Sequence, residues 1–374
     1  MVKDVYRVDT TRRRMRATAK RWTTSAKRRH ALFRCIERRN ARASTRVNGK
    51  RNAFATSSST MNKDNALVSP EWLHERLNDV VVLDASWHMS DLKRSGSKEH
   101  CERRIPGAKF FDIDGVSDFR NPSPHMLPST EAFKRACATI GIAPGGEDAR
   151  PVVVYDTNGM FSAARAWWMF RVFGRDDIFV LDGGFPAWER AGFDLDTNPV
   201  DVNDVMAHVS ECKKAMECEN ADMRDFKGIR SDLVKTKAEM VENATSTSPA
   251  FRVVDARGNV RFRGETVEPR AGVRSGHIPG SRNLFFGDLL DDAKRFKSVA
   301  EMESAFARAG IDLMNTKKGP IVATCGTGVT ACILALAMHE CGVKDVGVYD
   351  GSWTEYGGAD DETCPIKTGA PTVM

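Results

Sequence analysis

The stretch Pro320–His339, PIVATCGTGVTACILALAMH, decides how this chain is read. It opens on a short, mostly apolar run, Pro320–Thr324, with the character of a buried parallel strand. Six residues follow, Cys325–Thr330 (CGTGVT), and the apolar segment Thr330–Cys341 is then long enough to form a helix. The stretch at 151–173, PVVVYDTNGMFSAARAWWMFRVF, has the same order. Val152–Tyr155 reads as a strand, Asp156 opens a loop, and Ser162–Phe173 reads as a helix.

Working outward, both stretches belong to a longer repeat. Val80–Trp87 (VVVLDASW) matches Arg252–Asn259 (RVVDARGN), and Arg104–Asp112 (RIPGAKFFD) matches His277–Asp288 (HIPGSRNLFFGD). Ile178–Trp188 (IFVLDGGFPAW) matches Val346–Tyr356 (VGVYDGSWTEY). The separations are 171 residues from Asp84 to Asp255, 173 from Pro106 to Pro279, 169 from Asp156 to Cys325 and 168 from Asp182 to Asp350. Matches in one order at nearly one offset mean a duplicated domain, and the period is far too long for a solenoid. Alternating strands and helices predict an α/β fold in two tandem copies, each an open, mainly parallel sheet with helices on both faces. Ligands of such sheets sit beyond the C-terminal ends of the strands. The expected layout is a leader over 1–62, a first domain over 63–195, a polar linker with some helix over 196–249 and a second domain over 250–368.

Composition agrees with a two-domain globular body. The chain has 374 residues, 41% hydrophobic and 28% charged, enough for two cores without disulfide staples. The longest apolar run, Ala331–Met338, is eight residues, too short to span a bilayer. The net charge of +6 is concentrated at the front: residues 1–60 hold eighteen Lys and Arg against Asp4, Asp9 and Glu37. The other 314 residues carry 38 basic and 47 acidic side chains. Such a leader, rich in Arg, Ser and Thr and poor in acids, reads as a cleavable transit peptide, with a mitochondrial address favoured over a plastid or cytoplasmic one. A basic arm for nucleic acid is the competing reading, and the body behind it has no basic stripe to support it. The nine cysteines (Cys35, Cys101, Cys137, Cys212, Cys218, Cys325, Cys332, Cys341 and Cys364) are odd in number and form no CxxC pair. Neither a disulfide framework nor a zinc site is suggested, and no dinucleotide motif follows a strand, so no metal or organic cofactor is expected.

The Cys325 loop carries the chemistry. Gly326 and Gly328 permit tight curvature and positive φ. The loop can turn backbone N–H groups toward one point beside a helix N-terminus, which stabilises a thiolate or a persulfide. A thiol phosphatase would need an Arg at the end of the loop to grip phosphoryl oxygens, and Thr330 stands there. Sulfur transfer needs only the thiol and the N–H cage. The first copy has Asp156 where the second has Cys325, so the first domain is expected to be catalytically inactive and to close the cleft. Trp167, Trp168 and Phe170 are expected to be packing residues.

These features resemble the two-domain rhodanese superfamily, over roughly residues 65–360. CGTGVTAC, DGSWTEY and HMLPS at His125–Ser129 are most similar to the branch that acts on 3-mercaptopyruvate, in its plant and green-algal form. The resemblance implies a sulfurtransferase in which Cys325 carries a persulfide and Thr327 assists a proton transfer. It implies that Arg261 and Arg270, in DARGNVRFRGETVEPR (Asp255–Arg270), hold the donor's carboxylate and carbonyl, with Gly326, Gly328, Val329 and Thr330 lining its site. Guanidinium forks suit a planar keto acid. The implied partners are a small sulfur donor, 3-mercaptopyruvate or thiosulfate, and a thiol acceptor such as thioredoxin or glutathione, or cyanide. Members that prefer thiosulfate carry basic residues inside the loop, and this loop is uncharged. The alternatives are a thiosulfate:cyanide sulfurtransferase and a non-catalytic sulfur-relay module. Animal members use a His and an Asp with the loop hydroxyl. With that His assigned to the HIPG motif, Arg104 replaces it here, leaving the relay dispensable, Arg104 acting electrostatically, or His100 or His125 substituting. Arg257, Arg263, Asp255 and His277 are expected to be structural.

Overall fold

A computed structural model describes residues 65–142, 150–218, 229–315, 319–358 and 363–370. The leader over 1–62 and Cys35 lie outside the described residues. The body contains two five-stranded sheets. The first takes the order β1 (Leu67–Val68), β5 (Ile178–Leu181), β4 (Val152–Tyr155), β2 (Val81–Asp84), β3 (Lys109–Phe110). The second takes β6 (Val234–Lys235), β10 (Gly347–Tyr349), β9 (Ile321–Thr324), β7 (Arg252–Asp255), β8 (Arg282–Asn283). Every pairing is parallel, and the second order is the first shifted by one whole repeat.

Two core layers explain why nearly every strand residue is apolar. Val81, Leu83, Val152 and Val154 face one way, and Val82, Val153 and Tyr155 the other, the period of two that a pleated strand imposes. Ile321, Ala323 and Val348 share a cluster with Val152 and Val154, so one continuous core joins the inner faces of both sheets. Val322, Tyr349 and Trp353 form the outer layer of the second sheet.

Four helices position the site. Helix α1 (Thr130–Thr139) starts at Ser129, whose Oγ accepts the N–H of Ala132 at 3.2 Å. Helix α2 (Ala163–Val172) follows the Asp156 loop and is buried along its whole length. Helix α3 (Ala207–Cys218) packs against α1. Helix α4 (Ala331–Glu340) follows the Cys325 loop and packs against α2 across the domain boundary. Trp167 and Trp168 lie in that boundary: Trp168 Nε1 donates to the Leu233 carbonyl at 3.1 Å, and Trp167 meets His339 edge-on with centroids 5.4 Å apart. Phe170 packs on Phe111 and Phe133.

The stretch 196–249, expected as a linker, contributes directly to both halves. It holds α3, which covers the first domain, and β6, the edge strand of the second sheet. Edge strands of two residues have too little periodicity to be visible in sequence. No helix among the described residues is long and apolar enough to cross a membrane.

Candidate active site

Strand β9 ends at Thr324, and Cys325 stands immediately beyond it, only 2% exposed. The DGSWTEY stretch after β10 holds the loop from behind. Ser352 Oγ accepts the Cys325 N–H at 3.2 Å and donates to the Tyr349 carbonyl at 2.8 Å. The Trp353 N–H donates to the Cys325 carbonyl at 2.9 Å, and the Thr354 N–H and Oγ1 both donate to the Gly326 carbonyl. With its carbonyls tied back, the loop keeps its N–H groups for the cleft side. Among the described residues, none accepts from the N–H of Gly326, Thr327, Val329 or Thr330.

The two glycines have different reasons. Gly328 has φ +78°, and a Cβ there would meet the Asp350 carbonyl oxygen at 2.6 Å, so only glycine fits. Gly326 is not left-handed: a Cβ there would meet Arg261 Nη2 at 3.3 Å, so its smallness lets a guanidinium approach. The expectation of positive φ at both positions therefore holds for Gly328 alone.

A cleft of about 670 Å³ opens in front of the loop. Cys325, Gly326, Thr327, Val329, Thr330, Arg261 and Arg270 all line it. Gly328 does not line it, because its carbonyl and α-carbon back onto Arg165 and Asp350. Arg261 lies beside the loop in an ion pair with Glu268, Nη2 to Oε2 2.5 Å and Nε to Oε1 3.2 Å. Glu268 also takes Arg257 Nη1 at 3.1 Å, and Arg257 grips Asp255 and the Gly276 carbonyl. Arg257 is thus a structural member of the wall, and Arg263 pairs with Glu265 away from it. Arg270 is exposed at the rim. Each of the three guanidiniums in the cleft has a carboxylate nearby: Asp255 for Arg257, Glu268 for Arg261, and Asp114 of the first domain for Arg270.

Sequence reasoning offered His125 only as one possible substitute for the HIPG position, and it missed Trp87 and Asp114. Trp87, Asp114 and His125 line the same cleft. Asp114 Oδ1 lies 2.5 Å from His125 Nδ1, and Trp87 Nε1 donates to Asp114 Oδ2 at 2.6 Å. Burial pushes the Asp114 carboxyl up, but the contact and charge of His125, the indole and the charge of Arg270 outweigh it, and it titrates below the ordinary carboxylate range. Both ring nitrogens of His125 are buried and neither has a partner with hydrogen-bond geometry among the described residues, so its contact with Asp114 is one of proximity and charge. His125 belongs to the HMLPS segment and Asp114 to FFDID.

Arg104 stands elsewhere. It pairs with Asp196 at 2.7 Å and donates to the His100 carbonyl, and neither it nor His100 lines the Cys325 cleft. Its backbone bridges to Asp196 as the backbone of His277 bridges to Lys367. His277 stacks on Phe262 and hydrogen-bonds its carbonyl at 2.8 Å. In both repeats the backbone at this position pins a loop, which either Arg or His can do. Asp84 and Asp255 anchor their loops through Ser86 and Arg257. Cys332 is fully buried with its thiol against the Gly328 carbonyl, and burial pushes its pKa up. Among the described residues, no cluster of three or more His, Cys, Asp or Glu is placed to hold a metal ion.

A rhodanese-like domain model matches this chain twice, over residues 69–191 and 236–359. The mitochondrial thiosulfate/3-mercaptopyruvate sulfurtransferase 1 of Arabidopsis thaliana is 41% identical over 88% of this chain and 84% of its own length. The thiosulfate sulfurtransferase of Bos taurus is 40% identical over 78% and 91%. The crystal structure of SseA from Escherichia coli, a study of 3-mercaptopyruvate sulfotransferases, superposes with a TM-score of 0.61 at 30% identity, covering 77% of this chain and 99% of that one. The chain belongs to the rhodanese-like family, in its tandem two-domain form. It is a sulfurtransferase.

Proposed function

We propose that the protein transfers the sulfur of 3-mercaptopyruvate through a persulfide on Cys325 to a thiol acceptor. Arg261 and Arg270 hold the carboxylate and carbonyl of the donor. The Cys325 thiolate attacks the donor's thiol sulfur, an S–S bond forms, and the C–S electron pair leaves with the three-carbon fragment as the enolate of pyruvate. The thiol proton moves to that enolate, giving pyruvate, and the persulfide anion remains among the loop N–H groups. Thr327 and the His125–Asp114 pair, all in the cleft, are placed to pass this proton. A second thiolate, from thioredoxin or glutathione, or cyanide then attacks the outer sulfur and frees Cys325. We further infer a mitochondrial location from the composition of the leader and the mitochondrial relative.

The observation that carries the choice of donor is the near-neutral cleft. Its three guanidiniums each have a carboxylate neighbour, and the loop has no cation. A singly charged keto acid fits that balance better than the dianion thiosulfate. The competing donor is thiosulfate, because the bovine thiosulfate sulfurtransferase is about as similar as the Arabidopsis protein. Initial rates with each donor, cyanide accepting, separate the two. The expected result is a clear preference for 3-mercaptopyruvate, and a preference for thiosulfate would overturn this choice. Arg261→Ala and Arg270→Ala should each raise KM for 3-mercaptopyruvate about 10- to 100-fold, the worth of a charged hydrogen bond.

A further inference from the structure

One side chain of the first domain touches both halves of the active site. Arg165 lies on α2 and is fully buried. Its Nη1 donates to the carbonyl of Gly328, in the Cys325 loop, at 3.3 Å. Its Nη2 donates to the carbonyl of His125 and, at 2.7 Å, to Oδ1 of Asp350 just after β10. The other Asp350 oxygen accepts the N–H of Leu127 at 2.8 Å. One guanidinium and one carboxylate thereby clasp the loop of Cys325 and Thr327 to the segment that carries His125.

His125 shows the grip of that clasp. Its φ is +63°, which a residue with a Cβ adopts only where its surroundings enforce it. The guanidinium is stacked 4.5 Å over the Trp168 ring, so its fork has one orientation. A buried ion pair is often no more stabilising than apolar side chains of similar volume. The pair is therefore weak evidence of added stability, and its contacts to Gly328, His125 and Leu127 point to fixing geometry.

We propose that Arg165 is a positioning residue that sets the separation between His125 and the Cys325–Thr327 loop, so that the domain without the thiol controls the proton step. The inference rests on the proposed sulfur-transfer chemistry of the cleft. Arg261 and Arg270 stand on a separate segment, and donor binding is expected to be spared.

The test is a double-mutant cycle in the full chain, with 3-mercaptopyruvate and cyanide. Arg165→Lys keeps the charge and loses the fork. It should lower kcat about 100-fold, the usual effect of a displacement near 1 Å at the reacting groups, with KM nearly unchanged. In a His125→Ala background the same substitution should cost almost nothing further. Asp350→Asn should reproduce the pattern more weakly, and it carries the cycle if Arg165→Lys does not fold. Additive losses, a loss borne by KM, or an unchanged kcat would each overturn the proposal. Absence of turnover in the wild type is a distinct result that removes the underlying function as well.

Discussion

At the end of β4 the carboxylate of Asp156 accepts the N–H groups of Asn158, Phe161 and Ala163 at 2.9, 2.8 and 2.9 Å. At the end of β9 Cys325 stands in the same place, and the N–H groups of Thr327 and Thr330, the counterparts of Asn158 and Phe161, have no acceptor among the described residues. The left-handed glycines correspond too, Gly159 with Gly328. The first loop is an anion cradle that holds its own side chain. Its mouth is also closed: Arg94 pairs bidentately with Glu99 and reaches Thr157 and Asn158. The second loop has a thiol too short and too soft to satisfy those donors, and the guanidiniums of Arg261 and Arg270 stand before it in an open cleft. Duplication thus produced two cradles: the first is filled by its own Asp156, and the second is left open for the persulfide proposed above.

The largest effect should come from making the second loop like the first. Cys325→Asp should fold, place its carboxylate on the loop N–H groups and form no persulfide when 3-mercaptopyruvate is added, as read by intact mass. If it melts well below Cys325→Ala, the cradle is not preformed for an anion and the comparison fails.

The converse change empties the first loop. Burial pushes the Asp156 carboxyl up, and its three N–H donors offset this only in part. Asp156→Ala leaves those donors buried and unpaired, and should cost about 3 kcal/mol in chemical denaturation. A change near zero would show that the first cradle is not held by its anion.

Acid should distinguish the two domains as well. His208, on α3 against the first domain, accepts the Asp112 N–H through Nε2 and is held neutral, with burial lowering its pKa to about 4. The unfolded chain binds this proton below the ordinary value near 6.5, and the folded chain does not. Stability is therefore complete above pH 6.5 and falls as pH drops toward 4, by about 3 kcal/mol. Hydrogen exchange should show first-domain amides losing protection over that window while β9 and β10 lag behind; simultaneous loss would mean the shared core makes the domains one cooperative unit.

The smallest effect is expected where the repeats already differ by one atom group. Ser352 has φ +48° and corresponds to Gly184, at φ +55°. Ser352→Gly loses the hydrogen bond to the Cys325 N–H and gains relief of the left-handed backbone, so stability should move by less than about 1 kcal/mol. The wholesale loss of activity would mean that this one hydrogen bond sets the thiol's position.

Legibility in the sequence followed periodicity and repetition. Val152–Tyr155 is legible residue for residue, and Ile321–Thr324, Ala163–Val172 and Ala331–Glu340 to within a residue at each end, because strands buried on both faces and mostly apolar helices leave little ambiguity. The duplication made the Cys325 loop stand out against Asp156. β6 was not visible, since a strand of two residues has no pattern of its own. The nearness of Asp114 to His125 was not visible, and His125 stood only as one alternative to the HIPG position, because spacing along the chain says nothing of which segments meet in the fold.

The sequence by itself determined that there are two α/β copies, that only the second has a cysteine at the start of the loop, and that its uncharged glycine loop can hold an anion. These follow from local rules: strand and helix periods, glycine's freedom and the chemistry of sulfur. Only the tertiary structure decided that Trp87, Asp114 and His125 share the cleft with Cys325, that Glu268 is bound to Arg261, that Gly328 faces Arg165 instead of the cleft, and that Arg104 stands apart from it. Those facts depend on how two sheets bury their inner faces in one core, a packing that places residues far apart in sequence within hydrogen-bonding distance.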